Sequence, residues 1–100
     1  MGTGLGSGIA IPHARLPGLD QAMVVVGTSK EGVQWNAVDG KPAHLIFLVL
    51  TPAEDTQTQL EVLATIAKGF SDLEAKRELI DAPTIQAAWR CLQRNLLNPV

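Results

Sequence analysis

His13 is the side chain best placed by its neighbours to do chemistry. It follows Pro12 at the end of the apolar triplet Ile9-Ala10-Ile11, within the run GLGSGIAIPHAR from Gly4 to Arg15. A neutral imidazole has an ordinary pKa of about 6.5, so near neutral pH it offers a nucleophilic lone pair without a strong base. Pro12 fixes its own φ and cannot donate to a sheet ladder, so the chain is expected to leave the sheet there and to present His13 on a stiff strand end. Gly4, Gly6 and Gly8 permit close backbone approach, and their N–H groups, with the Ser7 hydroxyl, are candidates to line an anion-sized concavity. Arg15, two residues on, could neutralise a tetrahedral anion if it points the same way, and in an extended segment positions two apart share a face. The chemistry this points to is nucleophilic transfer of an anionic group.

Other readings of the same residues stand beside that one. A lone histidine in a globular chain is more often a surface or hydrogen-bonded residue than a nucleophile. The glycines equally suit a flexible terminus, and they fail as a dinucleotide fingerprint because a strand and a proline follow them where a helix should begin. His44, the only other histidine, is read as a structural residue hydrogen-bonded at a sheet end. Its functional alternative is to fold close to His13 and share a proton or the transferred group. A metal site would need Asp39 or Asp20 as well, and the spacing gives no support, so neither a metal nor a cofactor is predicted. Lys41 and Arg15 are the cations placed nearest the presumed mouth, although solvated surface charge is the commoner fate of such groups.

GSGIAIPHAR resembles the active-site segment of the type 2 EIIA domains of the bacterial phosphotransferase system, the fructose, mannitol and nitrogen-related class. There an S-G-I-A-I-P-H stretch carries the phosphorylated histidine. The likeness continues more loosely through Met23–Ser29, Asp39-Gly40, Leu45–Leu50 and the helix from Thr56. Carried over, it makes His13 the phosphoryl acceptor from an HPr-like donor, with an EIIB-like protein or a transporter as the next partner. Gly6, Ser7, Gly8 and Arg15 are then candidates to hold the phosphoryl oxygens. Members of that family carry further helices ahead of the glycine segment, with an arginine near the active histidine; neither is expected here, where Met1 stands almost on the motif. A second histidine commonly opens the later helix in an H-L-x-x-L pattern, whereas this chain reads Gln59-Leu60-Glu61-Val62-Leu63. Gln59 can hydrogen-bond an imidazole or a phosphate but cannot titrate. It can equally complete a capping box with Thr56. The resemblance implies a phosphocarrier, with a regulatory module that binds partners without relaying phosphate to a sugar as the alternative; a truncated relic is the blandest reading.

The elements that must position these residues follow from pattern. Ala22–Ser29 is rich enough in β-branched residues for a strand, Lys30-Glu31-Gly32 should turn it, and Val33–Ala37 should form a second strand around Trp35. Asp39-Gly40 signals a hairpin into Ala43–Leu50. Leu45–Leu50 is apolar on both pleat faces and is expected to be a central strand covered on both sides. Three helices should follow. The first starts at about Thr56 with Leu60, Leu63, Ala67 and Phe70 inward; the second is capped by Ser71-x-x-Glu74 and ends near Ile80. The third opens at Pro83 with Ile85, Trp89, Leu92 and Leu96 inward. Residues 1–100 therefore read as a single α/β domain, a small mixed sheet flanked by helices, and the resemblance implies that it is of the phosphotransferase/anion transport protein-like class.

Composition narrows the function classes. The chain has 100 residues, 46% hydrophobic and 18% charged, which suits one small globular domain. A net charge of −2 and an isoelectric point near 5.5 leave no basic footprint for nucleic acid. No signal peptide or membrane-length apolar run is present, so a cytoplasmic domain without direct membrane insertion is expected. Cys91 is the single cysteine, which excludes an internal disulfide and is expected to be a buried thiol. Without the family's leading helices one sheet face or edge should lie bare, and a homodimer or docking to another protein is expected to cover it.

Overall fold

A computed structural model describes residues 4–37 and 39–97. Five strands form one mixed sheet: β1 (Gly4–Gly6), β2 (Ile9–Ala10), β3 (His13–Leu16), β4 (Met23–Val33) and β5 (Ala43–Pro52). Three helices follow, α1 (Thr56–Gly69), α2 (Leu73–Ile80) and α3 (Ile85–Leu92), the last running into a π-helical turn at Gln93–Leu97. The strand β5 is central. It pairs antiparallel with β4 on one side and, on the other, parallel with β2 and then β3, two lengths of one stretch of chain.

Pro12 therefore interrupts the ladder without ending it. Its carbonyl oxygen still accepts from Val49 N at 2.9 Å, so the chain stays on β5 and His13–Leu16 continue the sheet. Lys30-Glu31-Gly32 likewise does not turn the chain. Gly32, at φ +92°, forms a bulge through which β4 bends, with its N–H on Ser29 Oγ at 3.0 Å. The turn lies later, where Gly40 N donates to Ala37 O, and among the described residues Gln34–Ala37 form no strand. The hairpin predicted at Asp39-Gly40 thus joins β4, not a separate second strand, to β5.

Burial alternates strictly along the core of β5. Ala43, Leu45, Phe47, Val49 and Thr51 point under the helices and are almost fully buried. Together with Ile9, Ile11, Ile66, Phe70, Ala75, Leu79 and Cys91 they make the core, in which the rings of Phe47 and Phe70 lie 5.4 Å apart. The opposite face is not covered by the described residues, contrary to the pattern of Leu45–Leu50. There Leu48 is 36% exposed opposite its ladder partner Val25 at 54%, and Met23, which pairs with Leu50, is 50% exposed.

The helices form where the pattern places them, with different inward faces and caps. In α1 the buried residue is Ile66, flanked by Val62 and Leu63, whereas Leu60 and Ala67 are exposed. Asp55, not Thr56, is the N-cap: its carboxylate accepts from Thr58 N at 2.9 Å and Thr58 Oγ1 at 2.6 Å. No box with Gln59 forms. Ser71 does not cap α2 either, because its hydroxyl donates to Lys68 O and Asp72 takes the N-cap position. In α3 the cap is Thr84, and Cys91 is buried while Ile85 is 89% and Trp89 53% exposed. Burial pushes the Cys91 thiol pKa up. No helix among the described residues is long and apolar enough to cross a membrane.

Candidate functional site

His13 and Arg15 stand on the same face of β3. Their register partners on β5 are Val49 and Thr51, residues of the helix-covered face, so both side chains rise toward the N-terminal end of α1. Both are exposed. Exposure leaves His13 open to an incoming macromolecule.

The imidazole is nevertheless fixed. Its Nδ1 lies 2.7 Å from the carbonyl oxygen of Ile11, an atom that can only accept. Nδ1 must then carry the proton, and the lone pair resides on Nε2, the nitrogen on the far side of the ring. Ile11 itself is buried in the core, so the carbonyl that aims the ring belongs to a rigid part of the sheet. Arg15 is aimed as well. Its Nη1 donates to Thr56 Oγ1 at 2.9 Å, which joins β3 to the first turn of α1. That helix has no acidic residue in its first turn, and the Asp55 cap is committed to Thr58, whose two hydrogen bonds hold its carboxyl below the usual carboxylate range. Gln59, three residues after Thr56, lies half-buried on the adjacent turn, and its side chain has no hydrogen bond among the described residues. Beneath the pair, Thr51 is fully buried with its Oγ1 unpartnered among the described residues.

The glycine segment is elsewhere. Gly8 O accepts from His44 N and Leu45 N, and Ile9 pairs with Leu45, whereas His13 pairs with Val49. Four residues of strand separate these registers, roughly 13 Å. Gly6, Ser7 and Gly8 therefore do not surround His13: sequence neighbours in an extended chain are carried apart, not together. Instead Ser7 N donates to Asp39 Oδ2 at 2.9 Å, and Asp39 Oδ1 accepts from Lys41 N, bonds that lower the Asp39 pKa. Lys41 is thereby placed at the hairpin end, away from His13. His44 shares that remote end, and its Nδ1 bonds the Ser29 carbonyl oxygen at 2.9 Å, as the structural reading of this residue anticipates. Among the described residues no three His, Cys, Asp or Glu side chains gather where they could hold a metal ion.

Two members of the site were not assigned a role there from sequence. Thr56 was read as a cap, and its contact with Arg15 spans 41 positions, beyond any local signal. The Ile11 carbonyl is a backbone atom that no side-chain pattern can disclose.

Comparison with known proteins gives the following. Residues 1–95 match the family described as "Phosphoenolpyruvate-dependent sugar phosphotransferase system, EIIA 2". The chain is 38% identical over 88 residues to the nitrogen regulatory protein of Pseudomonas aeruginosa, covering 88% of this chain and 57% of that protein. It is 33% identical over 84 residues to the fructose-specific EIIA component of Haloferax volcanii, covering 84% and 54%. Among solved structures, nitrogen regulatory protein IIA-Ntr from Neisseria meningitidis superposes with a TM-score of 0.84 at 38% identity, over 91% of this chain and 62% of that one. The chain thus spans a little over half the length of these relatives.

Proposed function

The chain belongs to the EIIA 2 family of the phosphoenolpyruvate-dependent sugar phosphotransferase system, and from that premise we propose that it is a phosphocarrier domain in which His13 accepts the phosphoryl group. The observation that carries this is the bond from His13 Nδ1 to the Ile11 carbonyl, which leaves Nε2 as the nucleophile on an exposed ring. In the transfer, the Nε2 lone pair forms a bond to phosphorus in line with the donor's breaking N–P bond. The donor imidazole of an HPr-like protein keeps that electron pair and departs neutral. Positive charge builds on the His13 ring, and the Ile11 oxygen, already hydrogen-bonded to Nδ1–H, stabilises it. Arg15, aimed by Thr56, is the cation available to the phosphoryl oxygens, and Gln59 is the amide one turn along α1. The remaining barrier reduction comes from orientation in the complex with the donor.

An EIIB-like protein is the proposed acceptor, which places the domain in the cytoplasm with its donor. The uncovered face bearing Met23, Val25 and Leu48 supports association with a second copy or another protein; a monomer mass by light scattering at micromolar concentration would sink the homodimer. A regulatory role is the second reading, favoured by the 38% identity to a nitrogen regulatory protein. Incubation with phosphoenolpyruvate, Enzyme I and HPr separates the two. An acid-labile phosphoryl gain that H13A abolishes supports the acceptor role. Onward transfer to an EIIB protein supports the carrier, and retention without transfer supports regulation.

A further inference from the structure

At the end of the sheet remote from His13, a cleft of about 390 Å³ opens between the β1–β2 turn, β4 and α2. Lys30, His44, Lys76 and Arg77 line it with Ser7 and Gly8; Leu73 and Ile80 add apolar surface, and Asp81 is the one carboxylate among the lining residues. The volume falls within the range of small-molecule sites. Among the described residues the only ion pair joins Arg94 to Glu78, so none of the three cations of the cleft is held in an ion pair, and against the single carboxylate of Asp81 they leave the lining with an excess of positive charge. An excess of like charge lining a cleft attracts an anionic ligand.

The cationic groups are also positioned. Lys76 Nζ donates to the Ser7 carbonyl oxygen at 3.2 Å, which ties α2 to the β1–β2 turn and keeps the ammonium at the cleft. With Nδ1 of His44 on Ser29 O, Nε2 is the ring nitrogen left for a ligand. Two left-handed glycines seat this ring: a Cβ at Gly8 would lie 3.6 Å from His44 Cδ2, and one at Gly32 would lie 3.1 Å from Cε1. The Arg77 guanidinium supplies a planar fork suited to two oxygens of one phosphoryl group.

We infer that this cleft is a second site, separate from His13, that binds a small phosphate monoester. The phosphoryl group meets Lys30, Lys76 and Arg77, and the organic part lies against Leu73 and Ile80. Asp81 repels a second anionic group, so the ligand carries one charged head and a neutral body.

An amide-resolved NMR titration of the whole chain with glycerol 3-phosphate, in parallel with inorganic phosphate, tests this at low salt. Saturable shifts are expected at Ser7, Gly8, Lys30, His44 and Lys76, with the ester bound more tightly than phosphate. The K76A/R77A variant should weaken binding about tenfold or more. If that variant's spectrum shows a disturbed fold, K30A takes its place, with a severalfold loss expected. Non-saturating shifts, shifts centred on His13 and Arg15, or unchanged affinity in both variants overturns the site. Equal affinity for phosphate overturns the ester assignment. None of these results bears on His13 phosphorylation, so the two proposals fail separately.

Discussion

Replacing Thr56 by Val tests whether Arg15 acts as an aimed cation. Thr56→Val keeps the β-branched shape at the first position of α1 but removes the oxygen that receives the Arg15 Nη1 proton at 2.9 Å. A net intramolecular hydrogen bond is worth about 1 kcal/mol, or roughly fivefold in a rate. Both partners are exposed, so water replaces part of the loss and about threefold to fivefold is the expected slowing of phosphoryl transfer from HPr. Arg15→Ala removes the charge itself and should slow transfer about a hundredfold, the scale of a lost transition-state donor. Because Thr56 acts only through Arg15, the double variant should be no slower than Arg15→Ala alone. Arg15→Lys should restore part of the rate, since charge returns without the fork. Rapid-quench measurement of labelled His13 gives the rates, and urea unfolding checks that Thr56→Val leaves stability within about 0.5 kcal/mol. Losses that multiply in the double variant, or a Thr56→Val rate as low as that of Arg15→Ala, would refute the aimed-cation role.

Three further outcomes follow from the packing. Gly32→Ala should destabilise by about 2–4 kcal/mol, combining left-handed strain with overpacking against Pro42 Cβ, 2.8 Å from the new methyl; Gly27→Ala, with open space, should be near neutral in urea titrations. Thr51→Val should leave stability unchanged or raise it by about 1 kcal/mol, because the buried hydroxyl has no partner among the described residues, and a melting temperature reads this directly. The Asp55 carboxyl has a folded pKa below its ordinary value, so its stabilisation is complete above about pH 4 and is lost as pH falls through the lowered folded pKa. The melting-temperature gap between wild type and Asp55→Ala should close over that acid range and stay constant above it.

What could be read from the sequence was local, and what could not was set by long-range geometry. The β-branched residues of Ala22–Ser29, the apolar run Leu45–Leu50 and the helical periods after Pro52 locate β4, β5 and α1 to α3, because each arises from neighbours within a few residues. The sheet continues past Pro12 because its carbonyl, not its missing N–H, faces β5. Lys30-Glu31-Gly32 looked like a turn because a glycine at φ +92° serves a bulge as well as a reversal. The helix faces shifted by one or two residues where tertiary contacts chose Ile66 over Ala67 and Cys91 over Trp89. At the site, His13 and Arg15 were legible as strand positions two apart. Gly6, Ser7 and Gly8 were misplaced beside them, since nearness along an extended strand is distance in space.

Isotope-resolved ¹⁵N and ³¹P NMR of the chain phosphorylated through HPr tests the central claim most directly. A phosphoryl group bonded to Nε2 of His13, with Nδ1 still protonated against the Ile11 carbonyl, is the predicted result. Phosphorus on Nδ1, or on any residue other than His13, would contradict it.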